Sequence, residues 1–223
     1  MKTILLIIAL FPVVSGTISL RERIDRTEVT TLPFEFTNLT KGSKPGYVIN
    51  DVEGLINYIP RYIYKDLGRK SRYTKEKNID YALSKSFISQ GKNYILLDVI
   101  LNRMPGEYRH FLVTLNKDYQ VIDTLEVAIG GLHDAWLCTK QYRLNSDFTL
   151  TVYDLQQTSD KVLRYQVDQF DSFDAQRVDT RYTINEEGKF VKDEEIRYIP
   201  RTYKMEELYQ KGHGIWNGNE EKL

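Results

Sequence analysis

The chain has 223 residues, with 31 lysines and arginines against 31 aspartates and glutamates, so its formal charge is zero. That balance excludes the basic excess of a nucleic-acid-binding domain and argues against an anionic membrane surface as partner. With 41% hydrophobic residues and one cysteine, the chain can bury a sizeable core but cannot close an intrachain disulfide.

Lys2 followed by the apolar run Ile4–Val14 and Val14-Ser15-Gly16 has the three-part form of a secretory signal over residues 1–16, cut after Gly16. The alternative is an uncleaved anchor, although the run is shorter than the roughly 20 residues a span needs. No later stretch is long and apolar enough to cross a bilayer. Secretion or a periplasmic location is therefore expected. Residues 17–90 form a less regular N-terminal part, with a short helix at Asp51–Ile59 stopped by Pro60 and a strand at Ile79–Ile88. Asn38-Leu39-Thr40 is a lone sequon, read as chance. Tyr58-Ile59-Pro60-Arg61 returns as Tyr198-Ile199-Pro200-Arg201, but the echo is too short for a structural repeat.

Residues 91–203 read as an antiparallel meander. Tyr94–Leu101 is continuously apolar except at Asp98, as in a strand buried on both faces. Tyr108–Leu115 and Val121–Ile129 flank an Asn116-Lys117-Asp118 turn, with Val121, Leu125, Val127 and Ile129 on one face and Ile122, Thr124, Glu126 and Ala128 on the other. Tyr142–Leu144, Phe148–Tyr153, Val162–Val167 and Arg177–Ile184 follow, and Gly188 suits a positive φ before Lys189-Phe190-Val191. Residues 204–223 hold an amphipathic helix at Lys204–Lys211 and a polar tail, Asn217–Leu223, expected to be disordered. The fold class is mainly β: a meander curled into a sandwich, an open barrel or propeller-like blades, with short helices near the N- and C-terminal ends.

The phrases Tyr58–Tyr64, Asn93–Leu97, Phe111–Leu115, Val121–Asp123 and Tyr182–Phe190 resemble uncharacterised exported β-rich proteins of Bacteroidetes-type bacteria, over roughly residues 55–192. The resemblance implies an envelope location and carries no assigned activity. Many members resemble lipoproteins, a pattern from which this chain departs because no cysteine follows its apolar run.

Chemistry is sparsely marked. His133, Asp134 and Cys138, behind Gly130-Gly131, could form a Cys–His pair oriented by the carboxylate, but a loop capping a hairpin is the plainer reading. Trp136 lies in the same loop. His110, His133 and His213 are dispersed without ligand spacing, and His110 reads as a packed or surface strand residue. Asp168, Asp171 and Asp174 read as a solvated acidic loop, lacking the glycine and terminal glutamate of a calcium loop. No metal or cofactor is expected. No phosphate loop, nucleophile elbow or zinc helix occurs, and a catalytic carboxylate pair cannot be read from sequence because the fold sets its separation.

Sixteen tyrosines are the compositional excess. Arg61, Tyr62, Tyr64, Arg72 and Tyr73, with Trp136, form the expected binding surface, because tyrosine and arginine dominate interface hot spots. The competing reading is that tyrosine is simply a good strand residue. The expected function is a secreted or periplasmic module binding another envelope protein or a glycan. The alternatives are an envelope hydrolase acting on glycan or peptide, and a secreted enzyme inhibitor.

Overall fold

A computed structural model describes residues 19–36, 79–87, 89, 91–103, 107–130, 138–158, 172–204, 207 and 220–223. Among them, one helix, α1 (Leu20–Asp25), precedes eleven strands. These are β1 (Val29–Thr30), β2 (Phe34–Phe36), β3 (Ile79–Phe87), β4 (Ile95–Arg103), β5 (Glu107–Leu115), β6 (Val121–Gly130), β7 (Cys138–Leu144), β8 (Thr149–Gln157), β9 (Ser172–Ile184), β10 (Phe190–Arg197) and β11 (Arg201–Lys204). They form one sheet in which β3 to β10 pair in chain order. The sheet is mixed, because β1 runs parallel to β3.

Three hairpin turns share one chemistry. Asn116, Asn145 and Asn185 each pair with the residue four positions on, their N–H groups donating to the carbonyls of Gln120, Thr149 and Lys189. The fourth residue of each turn is left-handed: Tyr119 at φ 62°, Phe148 at 65° and Gly188 at 81°. A turn with one left-handed residue before the returning strand is the common three-residue hairpin connection. In the first and third turns the asparagine Oδ1 also accepts a backbone N–H, from Gln120 at 2.9 Å and from Lys189 at 2.8 Å.

β4 and β5 are buried on both faces, which is why their sequences are so continuously apolar. On one face Leu83, Leu97, Val99, Phe111, Val113 and Leu115 pack with Ile24 of α1. That helix is opened by Ser19, whose Oγ accepts from the Glu22 N–H, while the Glu22 carboxylate accepts from the Ser19 N–H. On the other face Leu96, Leu112, Val127 and Ala128 meet Tyr142, Leu144, Leu150 and Val152 from the second half of the sheet. Each fully buried aliphatic side chain contributes about 1.5–3 kcal/mol.

Strict alternation fails in β6. The pairing register slips between His110 and Phe111, so Val127 is the extra residue of a bulge and both it and Ala128 are fully buried. The expected placement of Ala128 on a face opposite Val127 is thereby corrected. β6 and β7 pair only at Ile129–Lys140 and Gly130–Cys138. Farther along β7, Tyr142, Arg143 and Leu144 pair instead with Phe36, Glu35 and Phe34 of β2. The β9–β10 turn returns to the first half, where Thr114 Oγ1 donates to the Gly188 carbonyl at 2.6 Å and Asp123 Oδ2 accepts from the Phe190 N–H at 3.0 Å.

The ends differ from expectation. The described helix α1 lies where the sequence pattern suggests none. The expected helix at Asp51–Ile59 lies outside the described residues, as does most of Lys204–Lys211, whose first residue closes β11. Residues 220–223, expected to be disordered, are pinned. The Ile199 N–H donates to the Glu221 carbonyl, the Leu223 N–H donates to that of Arg197, and Glu220 accepts from Tyr203 and Arg201. The Val162–Val167 strand lies outside the described residues. Asp174, expected in an acidic loop, is instead a residue of β9. No helix among the described residues is long and apolar enough to cross a membrane.

Candidate functional site

Arg61, Tyr62, Tyr64, Arg72, Tyr73, His133, Asp134 and Trp136 lie outside the described residues, as do His213, Asp168 and Asp171. Cys138 opens β7, its backbone paired with Gly130. Several described tyrosines pack inside the fold. Tyr142 and Tyr203 are fully buried, and Tyr153 and Tyr198 flank the Arg177 guanidinium, with ring centroids 5.8 and 4.7 Å away. For these residues the strand reading of the tyrosine excess holds.

His110 is buried in the core. Its Nδ1 lies 2.8 and 2.9 Å from the two Asp98 oxygens, and the Tyr142 hydroxyl donates to Oδ2 at 3.0 Å. An ionised carboxylate only accepts, so Nδ1 carries the proton. Burial first, and the Asp98 charge second, push the Tyr142 hydroxyl well above its ordinary range and keep it a donor. Exposures of 0% for Asp98 and 3% for His110 leave no approach for a ligand, so this cluster is a polar brace joining β4, β5 and β7.

An approachable site lies where β6 and β7 part. A cleft of about 370 Å³ opens there, with Phe111, Leu125 and Val152 supplying apolar wall and Asp154, Gln156 and Tyr182 polar wall. That volume falls at the lower end of the roughly 300–1,000 Å³ typical of small-molecule sites. Strand register brings the charges together: Lys140 stands directly opposite Asp154, and Glu126 pairs with Phe111. Glu126 accepts from Arg109 Nη1 at 2.8 Å and from Lys140 Nζ at 2.9 Å, while Asp154 Oδ2 lies 3.5 Å from the same ammonium. Glu195, at the cleft's edge, is paired with Lys192 and Arg197.

The two inner carboxylates are pushed in opposite directions. Burial raises Glu126, but Lys140 and Arg109 outweigh it and hold the group below the usual range. Burial also raises Asp154, Glu126 adds to the rise, and Lys140 and Gln156 do not offset it, so this carboxyl sits above its ordinary value. The arrangement is electrically self-compensated, with each acid met by a cation of the chain. It offers acceptors, amide and hydroxyl groups beside apolar surface, and no group of three or more metal-ligating side chains occurs among the described residues.

Lys140, Glu126 and Asp154 escaped sequence reasoning because they lie on three strands and meet only through register. Asp98 left a visible signal, a single carboxylate inside an otherwise apolar strand. Comparisons with protein-family models, curated proteins and solved structures return no match, so the site rests on its own geometry.

Proposed function

We propose that the chain is a binding module for a neutral glycan, exported to the envelope or beyond, and that the ligand lies in the cleft between the two halves of the sheet. The observation that carries this reading is the pairing of self-compensated charge with apolar wall. A charged ligand would meet no uncompensated opposite charge there, whereas a sugar has both an apolar ring face and hydroxyl edges. Leu125 and the ring of Tyr182, both partly exposed, suit the first, with Phe111 and Val152 buried behind them, and Asp154, Gln156 and the Tyr182 hydroxyl suit the second. The signal-like N-terminus and the resemblance to exported β-rich proteins support the location. The packing of β4–β6 against β7–β9 favours an open, sandwich-like curl over closed barrels and blades.

The test is calorimetric titration with a panel of neutral oligosaccharides of differing linkage. At least one member is expected to bind, and Tyr182→Ala to weaken that binding about tenfold or more, the scale of truncating one aromatic anchor in a binding site. Absence of binding across the panel, or binding indifferent to Tyr182, overturns the assignment. A hydrolase is the second reading, favoured by the placing of two partly buried carboxylates, Glu126 and Asp154, around the one Lys140 ammonium in the cleft. Release of new reducing ends from a bound oligosaccharide would establish it.

A further inference from the structure

Resting on the glycan reading, we infer that Asp154 is the specificity-determining residue, its carboxylate accepting hydrogen bonds from two adjacent sugar hydroxyls, so that affinity falls in acid. The inner carboxylates are satisfied unequally. Glu126 has both oxygens engaged, Oε2 by Arg109 at 2.8 Å and Oε1 by Lys140 at 2.9 Å, and its side chain is 11% exposed. Asp154 is twice as exposed, at 22%. Its Oδ2 receives only long contacts, 3.3 Å from Gln156 Nε2 and 3.5 Å from Lys140 Nζ. Oδ1 has no donor among the described residues.

An ionised carboxylate has about four acceptor sites, so Asp154 keeps much of its capacity for a ligand. A single O–H would leave one oxygen short. Two neighbouring hydroxyls on a ring can reach both oxygens, as a bidentate donor does. A cation is a poorer match, because Lys140 already lies beside this carboxylate and would repel it. The charged and titratable groups around Asp154 are Lys140 on β7, Glu126 on β6 with Arg109 on β5 behind it, and, toward β9 and β10, Tyr182, Glu195, Lys192 and Arg197. Burial holds Asp154 above its ordinary range, so it takes up a proton at a higher pH than an exposed aspartate does, while Lys140 and Arg109 hold Glu126 below its own range.

Linkage sets the direction of the pH dependence. The ligand prefers the ionised carboxylate, so binding is full at neutral pH and is lost as the pH falls through the raised value of Asp154. The neutral isostere should be harmless to folding, because an elevated carboxyl value means that the charged form costs the native state.

The test uses the panel oligosaccharide that binds best, titrated at neutral and mildly acidic pH. Asp154→Asn is expected to bind at least tenfold more weakly at neutral pH, to lose the acid dependence, and to melt no lower than the parent. A deoxy analogue lacking one of the two hydroxyls should lose affinity for the parent but little more for the variant. Parent-like binding by Asp154→Asn, or acid dependence that persists in it, overturns the assignment to Asp154 while leaving the glycan reading intact. If no oligosaccharide binds, the glycan reading falls and the role of Asp154 falls with it.

Discussion

Asp98→Ala is expected to lower the free energy of unfolding by about 2–6 kcal/mol, the cost of leaving two buried donors without their shared acceptor. The carboxylate accepts from two donors on different strands, His110 Nδ1 and the Tyr142 hydroxyl. Without it, both are left in a core that excludes water, and each unsatisfied donor costs about 1–3 kcal/mol. The rings cannot easily turn away. Phe36 lies 4.3 Å from the His110 ring and stacks on Tyr142 at 5.9 Å with planes 8° apart. Urea unfolding would read the change as a lower midpoint at unchanged slope. Replacing Asp98, His110 and Tyr142 together with apolar residues of similar volume should recover part of the loss, because the donors and their shared acceptor are removed together. A loss under about 1 kcal/mol in the single variant would mean that the brace contributes little.

Gly188→Ala is the second large effect, at about 2–4 kcal/mol from overpacking and left-handed strain combined. The conformation alone does not forbid a side chain, because Tyr119 and Phe148 occupy the equivalent place in the other two turns at nearly the same φ. What distinguishes Gly188 is space. A Cβ there would stand 3.0 Å from Ile122 Cδ1 and 3.1 Å from Tyr94 Cβ. Ile122 Cδ1 can swing aside, but the Tyr94 Cβ is held by the backbone leading into β4, so the turn must also give, which would disturb the 2.6 Å bond from Thr114 to the Gly188 carbonyl. Thermal unfolding of Gly188→Ala checks this, and a melting temperature equal to the parent's would show that the turn accommodates the methyl group. Phe148→Gly relieves the strain but deletes a buried ring packed edge-on against Tyr94 at 6.1 Å, so it should destabilise as well.

The meander was legible because its strands announce themselves by composition and its turns by asparagine. β4, β5, β6 and β8 fall within a few residues of their expected ends, and the positive φ at Gly188 followed from its place in the turn. The three-fold recurrence of one turn was also written in the sequence, as Asn-x-Asp/Glu followed by Tyr, Phe or Gly, but a left-handed aromatic residue is not what turn chemistry leads one to expect. The parallel β1 and the insertion of β2 beside β7 were not legible, because pairing between segments so distant in the chain leaves no local pattern. For the same reason Glu126, Lys140 and Asp154 looked like ordinary polar strand positions. Bulges made this worse: one slip beside Phe111 buries Val127 and Ala128 together, which a period of two cannot anticipate.

The placement of β2 orders the assembly of the molecule. Most pairings in the sheet join neighbours in the chain and can form as local hairpins, at low entropic cost of closure. Phe34, Glu35 and Phe36 must instead wait until Leu144, Arg143 and Tyr142 exist as a strand with one edge unfilled. During synthesis the N-terminal segment emerges first and finds its place among the last. Until it docks, the β7 edge is bare, a template for another chain's strand. The interval before β2 arrives thus leaves that edge open to aggregation, and anything that occupies the Phe34–Phe36 segment in transit would lengthen it.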